Sequence, residues 1–236
     1  MTWSPGVVRP DAADRAQWSV VIPALQEMEQ LPLLLSQLQG PEQVVVVDGG
    51  SSDGTAAIAA AMGAHVVHAS AANRGLQLAV GAAHATRPWL LFLHADARLP
   101  EQWHERLAEA LAAEAVIAAA FRLRVRGRGW KLRLLERLVG FRSRWRGLPY
   151  GDQGLAIAVD DYQQIGGYRP LPLMEDLDLV QRLGQNGRVA LAAGAVQVSD
   201  RRWRRLGVWR SSWRNARLRA AWRRGIDPQE LARRYR

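Results

Sequence analysis

The sequence predicts an α/β domain built on a mostly parallel sheet, and three observations carry that expectation. "QVVVV" (43–47) is a continuous β-branched run bounded by turn residues, which is how a strand buried on both faces reads. "PWLLFL" (88–93) is a second such run, and both meet an aspartate at or just past their ends. Between and around them, strand-like runs alternate with short helical patterns, the signature of right-handed βαβ units.

Each element has its own reason. Residues 1–16 have no apolar periodicity and are expected as a flexible tail before one domain, 17–236. "WSVVIPAL" (18–25) reads as the first strand, and "EMEQLPLLLSQLQG" as a helix closed by Gly40. After the Val run, the spacing predicts a helix over 55–62, a short strand in "AHVVHA", a helix in "RGLQLAVGAAHAT" and the "PWLLFLHAD" strand. An amphipathic helix over 100–113 closes this half at residue 114. The second half, 115–236, changes character. "VIAAAFRLRVRGRG" reads as a strand with Arg122, Arg124 and Arg126 on one face. A basic helix follows from Trp130 to Leu138, then a turn and strand in "LPYGDQGLAIAV", then a helix in "MEDLDLVQRLGQNG" stopped by Gly184 or Gly187. Arginine- and tryptophan-rich helical pattern fills the chain from Trp203 onward.

Composition narrows the function. The 236 residues suffice for one full core, and 48% hydrophobic content is ordinary. The net charge of +10, almost all arginine, favours phosphate-bearing or anionic partners. The absence of cysteine excludes disulfides and thiol chemistry and suits the cytoplasm. No apolar run reaches the length of a membrane span, so any membrane contact is expected to be peripheral, at the inner face.

Open α/β sheets bind ligands beyond the carboxyl ends of their strands. Asp48 stands at such an end, with Gly49, Gly50 and Gly54 allowing close approach to the backbone and Ser52 or Asp53 able to cap the next helix. His94 and Asp96 stand just past a second end. If the two strands are near neighbours, Asp48 and Asp96 face one crevice, where Asp96 could hold Mg²⁺ or Mn²⁺ together with a nucleotide diphosphate. Alone, each aspartate is equally readable as a turn residue; two in one sheet carry more weight. In "YGDQG", Asp152 and Gln153 together offer hydrogen-bond donors and acceptors, or form a plain polar turn. Glu175, Asp176 and Asp178 open a helix whose dipole they would complement. Leu206, Trp209, Trp213 and Ala216 recur at helical spacing among arginines. That stripe is expected to pack against the core, with an interfacial helix on anionic lipid as the alternative.

In chain order, "VVIPALQE", "VVVVDGGSSDGT", "NRGLQLAVGAA", "FLHADARLP", "GDQG", "LMEDLDLVQRL" and "RRW" resemble the family 2 glycosyltransferases. The resemblance covers Ser19 to the C-terminus and comes nearest to the small bacterial branch labelled arsenosugar-biosynthesis glycosyltransferases. It implies the GT-A fold and an inverting, metal-dependent transfer of a sugar (hexosyltransferase type) from a nucleotide donor to a hydroxyl acceptor. The 17–114 half would bind the nucleotide-sugar and the 115–236 half, with its C-terminal helices, the acceptor. Position by position, it implies donor contacts at Pro23, Glu27, Asp48, Gly50, Arg74, Asp96 and Arg202. Gln26 stands where the family usually has Asn, and Asp48 takes the position that reads the base, with UDP- and GDP-sugars both open. Asp96 matches the last member of the metal-binding D-x-D, whose first member is His94 here. The implied acceptor contacts are Asp152, Gln153 and Trp203. Asp176 takes the place of the base, Glu175 orients the acceptor or an arginine, and Asp178 faces solvent or caps the helix. Arg201, Arg202 and Trp203 match the Arg-Trp motif beside the leaving diphosphate.

Two other readings remain. A nucleotidyltransferase can share such a sheet but carries a Gly-rich basic loop after its first strand, which "VVIPALQE" lacks. A non-catalytic basic module on membrane or nucleic acid explains the charge but not the acidic strand ends, so no nucleic-acid partner is expected.

Overall fold

The computed structural model describes residues 11–146, 149 and 151–235, with the side chains of 144–146, 149's neighbours, 202, 234 and 235 outside the description. Among the described residues, seven strands form one sheet: β1 (Trp18–Ala24), β2 (Gln43–Asp48), β3 (His65–His68), β4 (Trp89–Phe92), β5 (Val116–Arg126), β6 (Leu155–Ala158) and β7 (Arg188–Ser199). Their spatial order is β3-β2-β1-β4-β6-β5-β7. β6 runs antiparallel to both β4 and β5, while the other pairings are parallel. The mostly parallel α/β sheet expected from the Val run is therefore present, and β2 is buried on both faces as that run requires. Because β1 lies between β2 and β4, both aspartate-bearing ends flank β1 at one edge of the sheet.

Helices cover the faces: α1 (Leu31–Leu35), α2 (Thr55–Ala61), α3 (Arg74–Ala83), α4 (Trp103–Leu111), α5 (Trp130–Arg146), α6 (Val159–Gln164), α7 (Glu175–Asn186), α8 (Arg201–Leu206), α9 (Val208–Arg223) and α10 (Pro228–Tyr235). Glycine sets one close approach here: a side chain at Gly81 of α3 would collide with Val21 and Val47, so α3 lies directly on β1 and β2.

Several expectations need correction. The first helix is far shorter than 27–40. Pro32 fits only its first turn, and Gln26 turns the chain before it at φ 55°. Residues 11–16 are not a flexible tail. Ala12 is buried, its carbonyl accepts from the Trp18 indole at 2.7 Å, and Arg15 pairs with Glu42 (Nε to Oε2, 2.8 Å). Residues 1–10 of the expected tail lie outside the described residues. β7 was not foreseen: "RVALAAGAVQVS" is rich in small residues without clean alternation, and its pairing with β5 carries two register shifts. The Trp209, Trp213 and Ala216 stripe does not pack inward; all three are exposed, and α9 buries Ser211 and Leu218 instead.

Candidate active site

A cleft of about 580 Å³ opens at the carboxyl ends of β1 and β4. Pro23, Glu27, Arg74, His94, Asp96, Asp152, Asp176, Arg201 and Trp203 all line it. Residues scattered over 180 positions of sequence meet because parallel strands end together and α3, α7 and α8 start at that edge. Sequence reasoning missed Gln77, Asn215 and Arg219, which also line the cleft. Gln77 is buried and its amide donates to the carbonyls of Ala24 (3.0 Å) and Val47 (2.8 Å), tying together the ends of β1 and β2. An amide inside an apolar helix was its only signal.

Asp48 pairs in register with Ala24, one strand out from the cleft wall, and neither it nor Gly50 lines the cleft. Its Oδ2 accepts from the backbone amides of Gly50 and Ser51, each at 3.0 Å, and Gly50 adopts φ 93° to make that turn. Burial opposes ionisation of Asp48, but the hydrogen bonds from Ser51 and Gly50 outweigh it and hold the carboxyl below its usual range. Its other oxygen, Oδ1, is buried without a partner.

The acidic triplet at the start of α7 divides into three roles. Glu175 is fully buried behind the cleft and pairs with Nε of Arg74, leaving Oε2 without a partner. Asp176 lines the cleft; Nη2 of Arg74 lies 3.3 Å from its Oδ2, and the Tyr168 hydroxyl donates to Oδ1 at 3.3 Å. Asp178 neither faces solvent nor caps the helix. It is buried and paired with Arg169 (3.0 Å) and Arg182 (2.7 Å), a structural tie between α7 and the loop before it. Burial raises the Asp176 carboxyl above its usual range; Arg74 opposes this and the charge of Asp152 adds to it. Glu175 is likewise raised by burial and by Asp176, again against Arg74. Burial also lowers His94, helped by the positive charge of Arg74 and opposed by the carboxylates of Asp96, Asp152 and Glu175.

Asp152 reaches the cleft, with Oδ1 buried and unpartnered, but its neighbour does not. Gln153 is fully buried, donating to the Phe121 carbonyl (2.8 Å) and accepting from Ser143 (3.0 Å), so it anchors the 151–153 turn rather than facing an acceptor. Arg201 pairs with Glu27 at 2.6 Å across the cleft mouth. Burial raises the Glu27 carboxyl against the opposing pull of Arg201. Arg202 lies in the first turn of α8, and its side chain is outside the described residues.

Asp96 accepts from the Ser199 amide through Oδ2 at 3.2 Å, which leaves Oδ1 for a ligand. Among the described residues, no three His, Asp or Glu side chains form a cage for a metal. Mg²⁺ and Mn²⁺ sites that take one or two carboxylates and complete themselves with phosphate oxygens and water need no such cage. Asp96, with the unpartnered Nε2 of His94 two residues away, fits that kind of site.

Residues 19–168 match the family described as Glycosyl transferase family 2, and the chain belongs to it. Over 151 residues it is 30% identical to the undecaprenyl-phosphate 4-deoxy-4-formamido-L-arabinose transferase of Sodalis glossinidius, covering 58% of this chain and 46% of that protein. The chain spans 36–46% of the length of the curated glycosyltransferases it matches. Among solved structures, it is similar to the mannosyltransferase from Pyrobaculum calidifontis in complex with GDP-Man and Mn²⁺ (TM-score 0.60, 21% identity, 91% of this chain and 64% of that one). It is also similar to S. aureus TarS in complex with UDP-GlcNAc (TM-score 0.61, 16% identity, 78% and 59%). The fold is GT-A, and the chain is a member of glycosyl transferase family 2.

Proposed function

We propose that the chain moves a hexose from a nucleotide-diphosphate-sugar to a hydroxyl acceptor with inversion at the anomeric carbon, and that Asp176 is the base. One observation carries this reading: of the three acids opening α7, Asp176 alone lines the cleft. The acceptor hydroxyl would lose its proton to Asp176 as its oxygen bonds to the anomeric carbon and the bond to the diphosphate oxygen breaks. Burial, by raising that carboxyl, makes it a better proton acceptor than an ordinary aspartate once ionised. Asp152, with its unpartnered oxygen, would accept a hydrogen bond from another acceptor hydroxyl, and Trp203 would supply an apolar wall.

On the donor side, the Oδ1 of Asp48 would take an N–H of the base, an offer both uracil and guanine can make. Pro23 and Glu27 would border the nucleoside, and Arg201 would meet the developing negative charge of the leaving diphosphate. Asp96 would hold Mn²⁺ or Mg²⁺, which when bound neutralises diphosphate charge. The relatives found with UDP-GlcNAc and with GDP-Man and Mn²⁺ support a donor and metal of these classes. Within the family, the ordered motifs favour the arsenosugar-biosynthesis branch. Incubating the chain with UDP- and GDP-hexoses, Mn²⁺ and a panel of polyols tests the reading by NMR. A product of inverted anomeric configuration supports it, and a retained configuration removes Asp176 as a single-displacement base.

A further inference from the structure

α9 presents an exposed apolar surface outside the cleft. Trp209 and Trp213 are 46% and 62% exposed, and on α5 Trp130 and Phe141 are 66% and 63% exposed. These are large apolar groups that a water-facing helix does not need. The two helices present them together: the Trp130 and Trp209 rings lie 6.2 Å apart. Trp130 and Phe141 are about three turns apart on one stripe of α5, and Trp209, Trp213 and Ala216 share a stripe of about two turns on α9.

Cations are interleaved with the rings. Arg217 stacks over Trp213 at 4.5 Å and Lys131 lies 5.8 Å from the Trp130 ring centre. α9 has no acidic residue. A hollow of about 290 Å³ where the helices meet is lined by Arg128, Lys131 and Arg204 together with Trp130 and Trp203, with one acid, Asp200, paired to Arg204 at 2.9 Å. Trp203 and α9 also form part of the cleft wall, so this surface adjoins the mouth of the site.

We propose that the α5–α9 face docks on an anionic lipid bilayer, with Trp130, Phe141, Trp209 and Trp213 at the headgroup level. Aromatic rings beside arginines suit that layer, where one end of a side chain is apolar and the other wet. A second copy of the chain is a poorer occupant: a two-fold contact would set this arginine-rich face against itself. Single-stranded nucleic acid is poorer too, because Leu138 and Ala216, which widen the stripes, offer a base no ring to stack on. Docked this way, the cleft opens at lipid level and takes an acceptor from the bilayer surface.

The test is flotation of the full chain with vesicles of phosphatidylcholine alone or with 30% phosphatidylglycerol added. Binding to the anionic vesicles and not to the neutral ones is expected. Arg210→Gln with Arg217→Gln should weaken it about 25-fold, at about 1 kcal/mol, or fivefold, per arginine. Arg87→Gln with Arg188→Gln makes the same charge change at the opposite end of the sheet and should leave binding near normal. Trp209→Ser with Trp213→Ser should abolish flotation while melting temperature and nucleotide-diphosphate binding persist, which separates this surface from the active site. Equal loss in both arginine pairs would reduce the effect to net charge and overturn the proposal. So would unchanged flotation of the tryptophan pair, absent vesicle binding, or a dimer or an RNA complex that the tryptophan pair abolishes instead.

Discussion

Nη2 of Arg74 lies 3.3 Å from Oδ2 of Asp176, joining the start of α3 to the start of α7 across 102 residues of sequence. The same guanidinium holds Glu175 through Nε, so one arginine fixes two buried acids and aims one of them into the cleft. The Arg74 side chain is 40% exposed and partly screened, so removing one partner costs less than the roughly 3–5 kcal/mol of a fully buried pair. Glu175→Gln should therefore show mainly as lowered thermal stability, with turnover reduced in proportion to the protein that remains folded.

Asp48→Ala should weaken nucleotide-diphosphate binding by roughly 1.5–3 kcal/mol, the worth of a hydrogen bond to a charged group. It also leaves the amides of Gly50 and Ser51, in a part-buried turn, without that acceptor. Isothermal titration with UDP and GDP checks this. Unchanged affinity in a folded variant removes Asp48 from the donor site.

Much of this site was legible because strand ends are written in the sequence. The Val run placed Asp48 at a strand end, although one strand out from the cleft, and "LLFLHAD" placed Asp96 in the cleft itself. Gln77 was not legible, because an amide in a helical run carries no mark of the two strand carbonyls it will meet. Nor was the side that α9 presents, since tryptophans at helical spacing look alike whether they face a core or a bilayer. Gln153 misled for a related reason: polar residues flanked by glycines read as a ligand turn, whereas here the amide satisfies a buried carbonyl.

Asp96→Asn should remove the Mn²⁺-dependent part of nucleotide binding, because a neutral amide is a poor ligand for a hard dication. The amide oxygen can still accept from Ser199, so the fold should persist. Titrations with and without Mn²⁺ measure it. Identical metal dependence in wild type and variant would place the metal elsewhere.

Gly151→Ala should impair turnover without touching the base itself. A methyl group there would lie 2.5 Å from Oδ2 and 2.6 Å from Oδ1 of Asp176, so the carboxylate must shift. Displacing a catalytic group by about 1 Å costs on the order of 10²-fold. The check is a kcat comparison at saturating donor, where donor affinity should hold.

The raised Asp176 carboxyl sets the acid side of the pH profile. As a base it works only when ionised, so kcat/KM should fall on the acid side at a pH above the ordinary aspartate value of 3.8. For stability the sign is the reverse. The native state holds this proton more tightly than the unfolded chain, so that share of stability is present at low pH and lost as pH rises through the raised value. A profile with its acid limb at or below 3.8 would contradict the assignment.

The most direct measurement pairs donor binding with turnover in Asp176→Asn. The amide keeps the size and the contact with Tyr168, so donor affinity by titration should match wild type. Transfer to acceptor should fall roughly 10²- to 10⁴-fold, as loss of a general base does. Near-normal transfer by the folded variant would show that Asp176 is not the base and would contradict the account, with Asp152 the next carboxylate in the cleft to test.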